Sequence, residues 1–207
     1  MRRMLVLGVV LLLGAACVAA EKADDEGWLP LFDGKSLDGW KASEKADSFS
    51  VRDGMVCDES GRSHLYYVGP VKDHNFKNFE FKADVMTTPG SNSGIYFHTE
   101  FQPNGWPGKG FECQVDNSHS DPKRTGSLYG IKNIMNDSPA KDDVWFNYHI
   151  ILKGMTLTIE IDGKKVNEYT FPDDARRKPT SGTFCLQGHD PKSKVYFKNI
   201  QVKPLPD

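Results

Sequence analysis

Apolar and polar residues alternate from Asn78 to Met86, and again on both sides of a Gly/Pro-rich loop between Thr88 and Asp116. Only an extended strand presents a period of two to two faces. In the first run Phe79, Phe81, Ala83 and Val85 share one side, with Glu80, Lys82 and Asp84 on the other. In the second, Ile95, Phe97, Phe111, Cys113 and Val115 form an apolar odd set, while Asn92, Tyr96, His98, Glu112, Gln114 and Asp116 form a polar even set. Two strands joined by that loop make a sheet with one dry face and one face carrying amide, imidazole, phenol and carboxylate groups. An ordinary solvated outer face accounts for the alternation alone. A binding groove accounts for the residue types as well, because a plain outer face carries mostly Lys, Thr and Ser.

The rest of the chain repeats the pattern in short pieces. Trp28, Leu31, Phe32, Leu37 and Trp40 surround two turns, Asp33-Gly34 and Asp38-Gly39, and read as an edge strand with an aromatic-anchored loop. Asp53-Gly54 turns a hairpin over Phe49 to Cys57, and Asp162-Gly163 joins strands at 156–161 and 164–171. Further strands are expected at 65–68, 127–134, 147–153, 182–187 and 194–202. About a dozen short strands, with no amphipathic helix after the leader, point to an all-β sandwich or jelly roll.

Two arginines, Arg2 and Arg3, precede an apolar run from Met4 to Ala16 and small residues ending at Ala20. Residues 1–20 are therefore expected to be a secretory signal peptide, removed after Ala20, which places the protein outside the cytoplasm as a secreted or periplasmic protein. Lipid attachment at Cys17 is the alternative, weakened by Gly14, where such a motif favours a bulky aliphatic residue. Residues 21–26 read as a charged, frayed start. With no repeat and no shift in composition, 27–207 is expected to be one domain. The mature chain keeps Cys57, Cys113 and Cys185, an odd set without zinc spacing that closes at most one disulfide. Three buried thiols acting as small hydrophobes is the plainer reading.

A formal net charge of -2 and a pI near 6.3 exclude the basic stripe of a nucleic-acid partner, and nothing after the leader suits membrane insertion. A neutral polar ligand such as a carbohydrate fits the balance. There is no phosphate-cradling glycine loop, no Gly-x-Ser-x-Gly elbow and no paired histidines at metalloprotease spacing. No cofactor is indicated; a divalent ion such as calcium would draw on Asp116, His119 and Asp121, though no calcium-loop spacing is present. Glu112 and Asp116, four apart on a strand, lie roughly 13 Å apart. That is too far for the roughly 5 to 9.5 Å of paired-carboxylate glycoside hydrolysis. A single base fits better: Glu112 beside Gln114 moving a proton, with amides and imidazoles holding sugar hydroxyls. Trp106, Tyr129 and Trp145 offer flat faces for a pyranose ring, or simply pack as core.

Six stretches taken in order, Phe32-Asp33-Gly34-Lys35-Ser36-Leu37-Asp38-Gly39-Trp40, Asn92-Ser93-Gly94-Ile95-Tyr96-Phe97, Phe111-Glu112-Cys113-Gln114-Val115-Asp116, Trp145-Phe146-Asn147, Leu186-Gln187-Gly188-His189 and Phe197-Lys198-Asn199-Ile200, resemble the signatures of the 3-keto-disaccharide hydrolase domain family. The likeness runs from Gly27 to about Leu205. It departs at His98 and Lys198, where the family often has arginine. The resemblance implies a concanavalin A-like jelly roll of two curved antiparallel sheets with a carbohydrate groove, in a secreted bacterial protein acting on glycosides oxidised to a ketone at C3. On that reading Glu112, or else His98, removes the C2 hydrogen. Asn92, Gln114 and Gln187 orient hydroxyls, Asp116 stands beside them, and His189 or Tyr96 stabilises the enolate or protonates the leaving oxygen. The alternative is a carbohydrate-binding module of the same fold without turnover. Either way, Asn92, His98, Glu112 and Gln187 are expected to converge on one hollow.

Overall fold

Two of the four Asp-Gly turns close hairpins in the computed structural model, which describes residues 26–207. Asp53 and Gly54 adopt φ of 48° and 76°, and Asp162 and Gly163 adopt 51° and 72°. That left-handed pair matches the twist of the strands it joins, which is why Asp-Gly is favoured there. The expected leader at 1–20, with Cys17, and residues 21–25 lie outside the described residues.

In chain order the strands are β1 (Leu29–Pro30), β2 (Trp40–Ala42), β3 (Phe49–Arg52), β4 (Met55–Asp58), β5 (Ser63–Tyr67), β6 (Phe79–Thr87), β7 (Asn92–Thr99), β8 (Phe111–Asp116), β9 (Phe146–Lys153), β10 (Thr156–Ile161), β11 (Lys164–Thr170), β12 (Thr183–Gly188) and β13 (Val195–Pro204). One sheet runs β11-β10-β9-β6-β13-β4-β3, with β1 added on β13. The other runs β2-β5-β12-β7-β8. The chain is an all-β, concanavalin A-like jelly-roll sandwich of two antiparallel sheets.

Between the sheets lies one core. From the larger sheet it takes Phe79, Phe81, Ala83, Val85, Tyr148, Ile150, Leu152, Ile159, Phe197 and Val202. From the smaller it takes Leu65, Ile95, Phe97, Cys113, Val115, Phe184 and Leu186. The Tyr148 hydroxyl donates to the carbonyl of Gln114 at 3.1 Å, so the buried phenol is satisfied and ties the two layers together. Cys57, Cys113 and Cys185 are buried free thiols.

Two places depart from a plain period of two. On β13 the core side passes from the odd Val195 and Phe197 to the even Ile200 and Val202. Asn199, at φ 51°, provides the bulge, and the register to β6 shifts there. The strand expected at 127–134 is instead a tight turn: Leu128 and Lys132 bridge across Gly130, at φ 72°. That left-handed glycine reverses the chain before a strand can extend.

Candidate active site

On the outer face of the five-stranded sheet, β5, β7 and β8 present even-numbered residues, and β12 presents the odd-numbered Cys185 and Gln187. Cross-strand register places Tyr96 opposite Glu112, Gly94 opposite Gln114 and Asn92 opposite Asp116. On the other side of β7, β12 sets Cys185 against Tyr96 and Gln187 against His64 of β5. Above this floor is a cavity of about 310 Å³, lined by Asn92, Tyr96, Trp106, Glu112, Gln114, Tyr129, Gln187 and His189. Its size falls at the lower end of the range for small-molecule sites.

Glu112 is the one carboxylate in that lining. Its side chain crosses β7 above Gly94, where a Cβ would stand 2.5 Å from Oε1 and 2.9 Å from Cγ, so only glycine leaves the passage open. Across it, Oε1 accepts Gln187 Nε2 at 2.8 Å and Oε2 accepts the Tyr96 hydroxyl at 2.8 Å. With its amide nitrogen turned inward, Gln114 becomes a third donor, 3.1 Å from Oε1. Burial pushes the Glu112 carboxyl up to about 7 against the pull of these donors. Burial, with the neighbouring carboxylate, holds the Tyr96 phenol well above its usual range, so it stays a donor.

His189 stands on the rim. Its Nδ1 lies 2.9 Å from Asp190 Oδ2, which also accepts Ser193 Oγ at 2.6 Å. Burial would raise the Asp190 carboxyl, but Ser193, His189 and the backbone N–H of Lys192 outweigh it and bring it down to about 2. A carboxylate so held orients the His189 ring by accepting from its Nδ1. The Asn92 side-chain nitrogen lies 3.3 Å from His119 Nδ1. Tyr129 and Trp106 form the walls and are 37% and 45% exposed, which leaves flat apolar faces available to a ligand.

Asn92, Tyr96, Glu112, Gln114, Tyr129, Gln187 and His189 thus come together, with Trp106. His98 does not. At φ 54° it sits on a bulge that breaks the alternation. Its Nε2 lies 2.9 Å from the Lys77 carbonyl and its Nδ1 accepts the Thr180 N–H at 3.1 Å. Burial drops that imidazole to about 4. Trp145 is also elsewhere: it leads into β9 of the other sheet, with Lys198 Nζ 4.0 Å above its ring. Asp116 is fully buried beneath the site, and Arg124 Nη1 reaches its Oδ1 at 2.8 Å.

The ion set suggested by Asp116, His119 and Asp121 is met by the protein's own cations, Arg124 on Asp116 and Lys123 Nζ 3.3 Å from Asp121. Among the described residues His119, His189 and Asp190 bring donor atoms within 4.8 Å of one another, an imidazole-rich set that suits zinc better than calcium. Sequence reasoning missed His64, which lies behind Trp106 with ring centroids 5.3 Å apart. Extending the strand at 65–68 back by two residues would have put His64 on the same face as Tyr66. Asp190 and Ser193 carried no periodic signal, since they belong to a loop.

A 3-keto-disaccharide hydrolase of Bacteroides thetaiotaomicron is 30% identical over 81 residues, a match covering 36% of this chain and 28% of that protein. The chain thus matches under a third of that relative's length. A Parabacteroides distasonis structure, provisionally named a glycosyl hydrolase, superposes with a TM-score of 0.73 at 23% identity, covering 87% of this chain and 95% of the other. A carbohydrate-binding module of Bacillus subtilis superposes with a TM-score of 0.51 at 11% identity, covering 88% and 99%. At these identities the two structures speak to the fold alone. The 3-keto-alpha-glucoside-1,2-lyase-like domain model matches residues 27–203, and the chain belongs to that family.

Proposed function

We propose that the protein cleaves glycosides whose C3 hydroxyl has been oxidised to a ketone, by elimination followed by addition of water. The observation that carries this reading is a single carboxylate in the cavity lining, Glu112, held near neutrality at about 7 and surrounded by donors. Paired-carboxylate hydrolysis needs two such groups across the scissile bond. Elimination needs one base.

In this scheme Glu112 takes the C2 hydrogen as a proton, and its electron pair flows toward the C3 ketone to give an enolate. The enolate then re-forms the ketone as C1=C2 forms and the C1–O bond breaks. His189, held at Nδ1 by Asp190 and carrying a second proton on Nε2, supplies that second proton to the departing oxygen. Asn92, Gln114 and Gln187 hold ring hydroxyls. Water then adds its hydroxyl to C1 while Glu112 returns its proton to C2, and the proton that water gives up restores His189, which completes net hydrolysis. The leader ending at Ala20 is the basis for proposing that this happens outside the cytoplasm, and mass measurement of the mature protein beginning at Glu21 checks that.

The test is release of a chromogenic phenol from a 3-keto-α-glucoside and from its unoxidised parent. Release from the keto sugar only, slowed by deuterium at C2 and lost in Glu112→Gln, is expected. The second reading, a binding module without turnover, draws on the likeness to the carbohydrate-binding module fold. It gains if neither glucoside is cleaved while both bind.

A further inference from the structure

The five-stranded sheet is only half open. Over β8 and the near side of β12 lies the Glu112 cavity; over β5 lies the loop between β7 and β8, residues 100–110. This flap places Phe101 over Tyr66, ring centroids 5.4 Å apart, and Trp106 over His64 at 5.3 Å. It is rich in Gly and Pro, and Gly110 at φ 90° forms one end. It is held by ring contacts and a few polar ties: Lys41 Nζ lies 3.8 Å from the Phe101 ring, the His189 ring lies 5.3 Å from that of Trp106, and Arg177 donates to the Gly110 carbonyl at its end. The Gly105 N–H donates to Glu44 Oε1, Arg62 Nε reaches Glu44 Oε2 at 3.0 Å, and the Arg62 guanidinium lies 5.8 Å from the Trp106 ring.

What the flap covers is polar and unsatisfied. His64 is fully buried, yet neither ring nitrogen has a hydrogen-bond partner. Gln187, its cross-strand neighbour, gives Nε2 to Glu112 and Tyr96 and leaves Oε1 without a partner. Buried polar groups are otherwise almost always paired, and leaving them unpaired is unfavourable. A neutral imidazole and an amide oxygen side by side can donate and accept at once, which is how a protein grips adjacent sugar hydroxyls. Burial holds the imidazole at about 4, so it remains neutral at physiological pH.

We propose that the flap covers a second sugar position beside the Glu112 cavity, where His64 and the Oε1 of Gln187 hold hydroxyls of a neutral pyranose, the leaving half of a disaccharide, once the Trp106 indole moves aside. The inference rests on the reading that the Glu112 cavity takes the reacting ring. Gln187 then holds the leaving ring through Oε1 while its Nε2 holds the Glu112 carboxylate that faces the reacting ring. One strand spacing, roughly 4.8 Å, carries His64 on β5 beyond Gln187 on β12, so the second position adjoins the cavity that Gln187 lines.

The experiment is calorimetric titration of the mature protein with maltose, α,α-trehalose and methyl α-D-glucopyranoside, all unoxidised, so that binding is read without turnover. At least one disaccharide is expected to bind about tenfold or more tighter than the methyl glucoside. In His64→Phe, which keeps an aromatic ring under Trp106 but has no ring nitrogen, that ratio falls toward one. In His64→Asn, which restores a donor and an acceptor, part of it returns. The proposal is overturned if His64→Phe keeps the ratio, or if the wild-type protein binds all three sugars equally or not at all. Cleavage of the 3-keto glucoside by the same preparation separates that failure from failure of the proposed function.

Discussion

At Glu112 the burial that poises the base also weakens the fold. Its carboxyl rises from the usual 4.5 to about 7 on folding, so the native state binds the proton more tightly than the unfolded chain does. Stability from this group is fully present below about pH 4.5 and is lost as pH rises through about 7. At 1.36 kcal/mol per unit the loss is at most about 3 kcal/mol. Glu112→Gln keeps the hydrogen-bond geometry, since its oxygen accepts Gln187 while its nitrogen donates to a rotated Tyr96 hydroxyl. The variant is therefore expected to melt higher than wild type at pH 8, with the gap closing below pH 5; an unchanged gap across that range refutes the raised carboxyl. Activity runs the other way, because only the ionised base removes a proton. kcat/KM on a 3-keto glucoside is expected to climb with pH through about 7, a limb absent in Glu112→Gln. The period of two was enough to gather Asn92, Tyr96, Glu112 and Gln114 in the sequence, because alternation fixes which face a side chain takes. It misplaced His98, since nothing in the residue name announces a left-handed φ there. It passed over His64 because the strand was begun two residues too late.

Between β7 and β8 the site depends on what is missing from the middle strand. Gly94 has ordinary backbone geometry, so alanine fits the chain, but its Cβ would meet Glu112 Oε1 at 2.5 Å and Cδ at 3.1 Å. The carboxylate would have to leave Gln187 and Tyr96. Gly94→Ala is expected to lower kcat on a 3-keto glucoside by about 10²- to 10⁴-fold, the usual worth of a positioned base. The melting temperature is expected to change little, since the clash lies on the outer face. A large fall in stability with normal activity in the remaining folded protein would show that the passage over Gly94 is not what places the base. The Asn-Ser-Gly-Ile-Tyr-Phe stretch was legible as a strand, but the reason for its glycine was not, because the clash involves a partner strand beyond a long loop. The same limit hid the bulge at Asn199: asparagine tolerates φ of 51°, yet only the change from odd to even core residues on β13 records it.

Across the whole molecule, the strand count was readable and the strand order was not, because β6 sits between β9 and β13, and β12 between β5 and β7. Those pairings join segments far apart in the chain, and short-range patterns carry no information about them. What links the two sheets physically is an aromatic cluster centred on Phe184 of β12. Its ring lies 4.8 Å from each of Phe76, Phe79 and Phe81, and Phe79 and Phe81 belong to β6 of the other sheet. Phe184 is fully buried, so Phe184→Ala leaves a cavity at the seam between the layers and is expected to lower stability by about 3–5 kcal/mol. Because both layers share that core, unfolding is expected as one transition. Tryptophan fluorescence senses Trp40 in and Trp106 above the smaller sheet and Trp28 and Trp145 beside the larger, while far-ultraviolet dichroism follows the strands of both. The two probes should give the same midpoint in urea for wild type, and the same lower midpoint for Phe184→Ala. If the variant instead splits into two transitions, with cavity binding lost in the first, the sheets hold themselves together separately and the site needs only its own five strands.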